Sequence, residues 1–185
     1  MRVRSSGSKA LVIDASVLRS AGETEHPVSS ACREFLERVP KTHLSVISTP
    51  ELSQERNRHA SRYSSRWFSN MVATKRVVYI ADPTDRTLLT HLVECAERRA
   101  ENAGQEASLV TAVTKDACLV EASNACEKAP ISSLDDRMRD HLRACALWVP
   151  EVRRVVWVNP SNACETPLEW LDAGAPGEPE RMLAV

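Results

Sequence analysis

Residues 9–16 read KALVIDAS, and the four apolar positions from Ala10 to Ile13 run unbroken into Asp14. An apolar run of this length without alternation is the pattern of a strand buried on both faces, which is the situation inside a parallel sheet. Outward from it, HLSVI at 43–47 reads as a second strand and APIS at 129–132 as a short one, with RVVWV at 154–158 as the last. RVVYIA at 76–81 also reads as a strand, although its place in the sheet stays open. Between them lie helical patterns: SSACREFLER around 29–38, a helix from Pro50 to about Ala60, another around Tyr63 to Ala73, and one over Asp85 to Ala100 with Asp85 as its N-cap. Asn102 to Glu106 reads as a loop around Gly104, and Ser108 to Val113 fits either a short helix or an extended piece. Asp116 then opens a helix over ACLVEASNAC, and Asp136 to Leu147 forms a further amphipathic one. Strands alternating with helices demand right-handed crossovers, so the expected fold is a three-layer α/β/α sandwich around a central, mostly parallel sheet.

A length of 185 residues suits one core, read here as a domain over 1–160 with a partly flexible C-terminal extension over 161–185. Hydrophobic residues at 43% and charged residues at 26% are globular usage, whereas 4% aromatics leaves packing to aliphatic side chains. The apolar runs fall far short of the roughly 20 residues that cross a bilayer, and the basic N-terminal stretch lacks the apolar centre of a secretory signal. A cytoplasmic protein without membrane contact is the expectation. Six cysteines without a CxxC pair fit free thiols in a reducing compartment, and His141 with Cys145 at i, i+4 lacks two further ligands for zinc.

In open α/β sheets, ligands bind beyond the carboxyl ends of the strands. Asp14 ends the first strand, Asp135 follows APIS after Ser133 and Leu134, Asp116 begins a helix, and Glu55 lies on the helix that follows the second strand. All four can therefore gather at one end of the sheet. Each taken singly has an ordinary explanation, since Asp at a helix start is usually a cap. Gathered, they repel one another by several kcal/mol per pair and ask for a compensating cation, for which Mg²⁺ or Mn²⁺ is suited. An Asp-x-Asp phosphatase motif is excluded by Ser16, and a phosphate-cradling glycine-rich loop by the scarcity of glycine, five in all.

IDAS, TPELSQE, KDACLVEA and ISSLDD, in that order, resemble the PIN-domain ribonucleases, including the VapC toxins of bacterial toxin-antitoxin pairs. The resemblance implies a PIN-like fold and Asp14, Glu55, Asp116 and Asp135 as catalytic and metal-holding residues, with Glu51 the rival of Glu55. It also implies a supporting role for Ser133, which stands where the family has Thr, and lets Asp136 share or replace the role of Asp135. The implied activity is Mg²⁺- or Mn²⁺-dependent hydrolysis of RNA, with an antitoxin protein and a homodimer as further partners. The alternatives are a non-cleaving PIN-like module that binds RNA or protein, and a nuclease directed at DNA.

Although the net charge is −1, no Asp or Glu occurs from Arg56 to Ala81, a stretch that holds Arg56, Arg58, Arg62, Arg66, Lys75 and Arg76. Arg58, Arg62 and Arg66 share one face if the helix continues through Ser61, and Trp67 is interleaved with them. Arginine on phosphate with stacking on aromatic rings is how single strands are commonly bound. The same aromatics could equally belong to the core.

Overall fold

The computed structural model describes residues 9–115 and 117–185. Asp116 therefore lies outside the described residues. Five strands, β1 (Ala10–Ile13), β2 (Ser45–Ser48), β3 (Val77–Tyr79), β4 (Ile131–Ser132) and β5 (Trp157–Val158), form one sheet in the order β3-β2-β1-β4-β5, and every pairing is parallel. The central position of β1 explains its unbroken apolar run. Successive side chains of a strand face opposite sides, so Leu11 and Ile13 enter one layer and Val12 the other.

One layer holds α1 (Ala15–Ser20), α2 (Pro27–Arg38), α4 (Arg62–Ala73) and α9 (Pro167–Asp172), whose Leu18, Phe35, Met71 and Leu171 pack around Leu11 and Val46. The other layer holds α5 (Arg86–Arg99), α6 (Ala103–Lys115), α7 (Ala117–Ala125) and α8 (Asp136–Cys145), packed around Val12, Ile47, Ile131 and Trp157. The helix α3 (Pro50–His59) contributes Leu52 to this second core. The three-layer α/β/α sandwich read from the sequence is the observed architecture.

Asp85 caps α5 as expected, accepting hydrogen bonds from the amides of Thr87 and Leu88 at 3.0 and 3.1 Å. RVVYIA finds its place as the edge strand β3, beside β2. The loop expected at Asn102–Glu106 is instead the first turn of α6. Its signal is Asn102-x-x-Gln105: Asn102 accepts from the Gln105 amide at 3.0 Å and Gln105 reaches back to the Glu101 amide at 2.7 Å, a reciprocal capping arrangement that outweighs the poor propensity of Gly104.

The expectation of free thiols throughout is corrected by a disulfide between Cys95 and Cys145, which joins α5 to α8 with the Cα atoms 5.9 Å apart. Helix packing creates that proximity across 50 residues of sequence, which spacing rules cannot foresee. Past residue 160 the chain docks: Trp170, Leu171 and Leu183 are buried, and the Leu183 amide donates to the Val155 carbonyl at 2.9 Å. Val156 and Met182 form an antiparallel bridge, so the chain end covers the outer side of the β5 edge that would otherwise expose unpaired backbone groups. No helix among the described residues is long and apolar enough to cross a membrane.

Candidate active site

Asp14 leaves β1 and occupies the N-cap position of α1 without capping it. Its carboxylate is committed elsewhere. Ser16 Oγ donates a short hydrogen bond to Asp14 Oδ2, and Ser133 Oγ donates to the same oxygen at 2.7 Å. Ser133 also accepts from the Asp135 amide at 3.0 Å, while Ser16 accepts from the Leu134 amide at 3.1 Å. Two hydroxyls thus fasten the end of β1 to the turn that follows β4. Parallel pairing of the two strands makes this possible, since Ile13 lies opposite Ser132 and their carboxyl ends emerge together.

Asp135 caps α8, its Oδ1 accepting from the Met138 amide at 2.9 Å. The cap engages one oxygen of the carboxylate and leaves the other for the expected role of Asp135 at the strand ends. Among the described residues, neither Asp14 Oδ1 nor Asp135 Oδ2 accepts a hydrogen bond.

Glu55 comes from the last turns of α3 and shares one cavity with Asp14 and Asp135. That cavity has a volume of about 200 Å³, and its wall is completed by Ala15, Ser16, Arg19, His59 and Lys115. Glu55 is not idle there: Arg58 donates to Oε1 at 3.1 Å and His59 Nε2 lies 3.4 Å from Oε2. Glu51 does not line the cavity. It instead stands among the acids near Glu121, whose buried carboxyl is pushed above the usual range by desolvation, opposed by the hydrogen bond from the Asp85 amide and reinforced by the charges of Glu51, Asp85 and Asp82. Asp136, to which the resemblance allows a share in the role of Asp135 or its replacement, is not among the cavity-lining residues and accepts from Asn159 Nδ2 at 2.8 Å at the end of β5.

Among the described residues, no three acidic, histidine or cysteine side chains are grouped closely enough to hold a metal ion. The third acid of the expected set, Asp116, is outside those residues. The sequence reading passed over Ser16, Arg19, His59 and Lys115. Ser16 and Arg19 follow Asp14 within one short helix, and His59 is one turn beyond Glu55, so helical spacing from the acids was the available signal.

The residues expected to bind nucleic acid divide sharply. Trp67 is a core residue, 7% exposed, with its indole donating to the Leu36 carbonyl at 2.6 Å, and it has no face for stacking. Arg76 is spent on backbone, donating to the Pro40 carbonyl at 2.8 Å and, by a short bond, to the Thr42 carbonyl. Arg58, Arg62 and Arg66 do not share one helix, because the chain turns extended at Ala60 and Ser61 caps a new helix by accepting from the Ser64 amide. Arg58, Arg62, Arg66 and Lys75 are all exposed, Arg58 pairing with Glu55 and Arg66 lying 3.9 Å from Glu23. Arg56 lies over the Phe68 ring, its guanidinium carbon 3.7 Å from the ring centre. No family model matches the chain, and no characterised protein matches its sequence.

Proposed function

We propose that this chain is a metal-dependent endoribonuclease of the PIN type, hydrolysing phosphodiester bonds in RNA, with the toxin of a toxin-antitoxin pair as its biological setting. The observation that carries the proposal is the convergence of Asp14, Glu55 and Asp135, from three separate segments, on one small cavity that also presents Arg19, His59 and Lys115. A site that mixes acids with cations in this way has one set of groups for a bound cation and another for a phosphate.

The donors fit a hard divalent ion. Asp14 and Asp135 each keep one carboxylate oxygen without a hydrogen bond among the described residues, and Mg²⁺ or Mn²⁺ is commonly held by one or two carboxylates plus waters. When bound, such an ion supplies Lewis acidity and a water of lowered pKa. The protein's own part is positional. Ser16 and Ser133 fix the Asp14 carboxylate by hydrogen bonds to its other oxygen, the α8 amide fixes Asp135, and Arg19 and Lys115 neutralise the phosphate that enters. Glu55 joins the acids by exchanging its partners Arg58 and His59, which are then free to meet the strand.

That same pairing of Glu55 favours a second reading, a PIN-like module that binds RNA without cutting it. Labelled single-stranded RNA and its DNA counterpart, incubated with wild type and Asp14→Asn in Mn²⁺ and in EDTA, separate the two. Cleavage of RNA by the wild type in Mn²⁺ alone, abolished in Asp14→Asn, is the expected result. Binding without cleavage selects the second reading, and preferential cutting of DNA would redirect the nuclease assignment.

A further inference from the structure

We infer that a second cavity, lined by Arg56, Asn57, Ala60, Ser65, Phe68 and Ser69, is a nucleobase subsite for the strand whose phosphate enters the first cavity. The identity of that strand rests on the proposed ribonuclease function. The cavity measures about 360 Å³, within the size range of small-molecule sites.

Its position follows from helix geometry. On α3, Glu55 and His59 face the first cavity, while Arg56 and Asn57, with Ala60 just past the helix end, face the second. Residues four apart share a face and the next residue is turned by about 100°, so the two cavities flank a single helix about 10 Å across. Neighbouring nucleotides of one strand can reach both.

Its chemistry suits a base better than a phosphate. Arg56 lies over the Phe68 ring and is tethered to Ser48 Oγ at 3.4 Å, so what it offers is a guanidinium group held in place before the strand arrives. Unpaired bases stack on guanidinium planes as they do on aromatic rings. Ser65 and Ser69 give their hydroxyl protons to the carbonyls of Ser61 and Ser65, at 2.9 and 3.0 Å, and keep lone pairs for an incoming donor. The Asn57 side-chain amide has no hydrogen bond among the described residues and offers both donor and acceptor. An exocyclic amino group, carried by adenine, cytosine and guanine, answers these acceptors with two donor hydrogens, whereas uracil offers only its ring N3–H. Tyr79, 67% exposed and opposite Ser48 in the β2–β3 register, extends the same surface with a second ring.

The test is binding of labelled adenosine and uridine decaribonucleotides in EDTA, read by fluorescence anisotropy over a salt series. Wild type, Arg56→Lys, Asn57→Ala and Asp14→Asn are compared, and cleavage in Mn²⁺ is measured in parallel. Arg56→Lys removes the plane and keeps the charge. It is expected to weaken adenosine binding about tenfold, the loss of one stacking contact, with an unchanged slope of log affinity against log salt. Asn57→Ala, which removes an exposed side chain without a hydrogen bond among the described residues, is expected to narrow the preference for adenosine and decides the matter if Arg56→Lys proves unfolded by circular dichroism. Wild-type binding and preference in both variants would overturn the subsite even where RNA is still cleaved. RNA binding that is sensitive to both variants but never leads to cleavage would sink the ribonuclease and keep the subsite. Absence of RNA binding by wild type would overturn both.

Discussion

Replacing Ser133 with Ala tests whether the acids are held as described. Ser133 is fully buried, and its hydroxyl performs two tasks: it donates to Asp14 Oδ2 at 2.7 Å and accepts from the Asp135 amide at 3.0 Å. A hydrogen bond to a charged group contributes roughly 1.5–3 kcal/mol, and an amide left without its partner costs roughly 1–3 kcal/mol. Some of the second cost is recovered by water entering the cavity, so a net loss of about 3 kcal/mol is expected from these ranges. For a protein of this size, that corresponds to a fall of about 6–12 °C in melting temperature. Urea denaturation measures the loss directly, and a double-mutant cycle with Asp14→Ala isolates the Ser133–Asp14 bond. Its coupling should be about 2 kcal/mol, because only the bond to the carboxylate is shared between the two sites. Additive behaviour, or a Ser133→Ala variant within about 0.5 kcal/mol of wild type, would refute the account of the site as a fastened pair of acids.

Glu55→Gln is expected to abolish Mn²⁺-dependent cleavage while Glu51→Gln retains it, since only Glu55 lines the acid cavity; the opposite pattern in a cleavage assay would reassign the site. His91 is hydrogen-bonded through Nδ1 to both oxygens of Glu151 at 3.0 Å, a contact that raises its pKa against the opposing effect of desolvation. A raised folded pKa means that its stabilisation is complete below the ordinary histidine value of about 6.5 and is lost as pH rises through the folded value. The stability gap between wild type and His91→Gln should therefore be widest in acid and close above neutrality; a gap that widens with pH would contradict the assignment. Cys164 is exposed, whereas Cys32 is buried and its thiol is pushed up to about 11 by desolvation. Alkylation at pH 8 should label Cys164 and spare Cys32 until the protein is unfolded, and mass spectrometry of the unreduced chain should return Cys95 and Cys145 joined.

Asp14 shows how far local sequence reaches. A buried strand ending in an acid could be seen in KALVID, because burial on both faces leaves an unbroken apolar run, and the two-fold alternation of facing then follows without further information. Pro50 after Thr49 likewise announced α3, where Thr49 accepts from the Leu52 amide at 3.2 Å. The arginines of 56–76 show where such reading stops. Composition identified a stretch without acids, but whether each cation was already engaged depended on contacts with residues far along the chain, such as Pro40 for Arg76 and Glu23 for Arg66. Trp67 was open to two readings for the same reason, and the carbonyl of Leu36 settled it in favour of the core.

By itself, then, the sequence determined the layered α/β/α architecture and the parallel sheet, together with the placing of Asp14 and Asp135 at strand ends and of Glu55 on the following helix. These depend on periodicity, caps and breakers, which act within a few residues. Tertiary structure alone decided that Ser133 joins Ser16 on one oxygen of Asp14, that Glu55 and not Glu51 reaches their cavity, that Cys95 meets Cys145, that Trp67 is interior and that Arg76 is bonded to the backbone at Pro40 and Thr42. Each of those outcomes is a distance between segments separated by tens of residues, and such distances are set by how helices and strands pack in three dimensions.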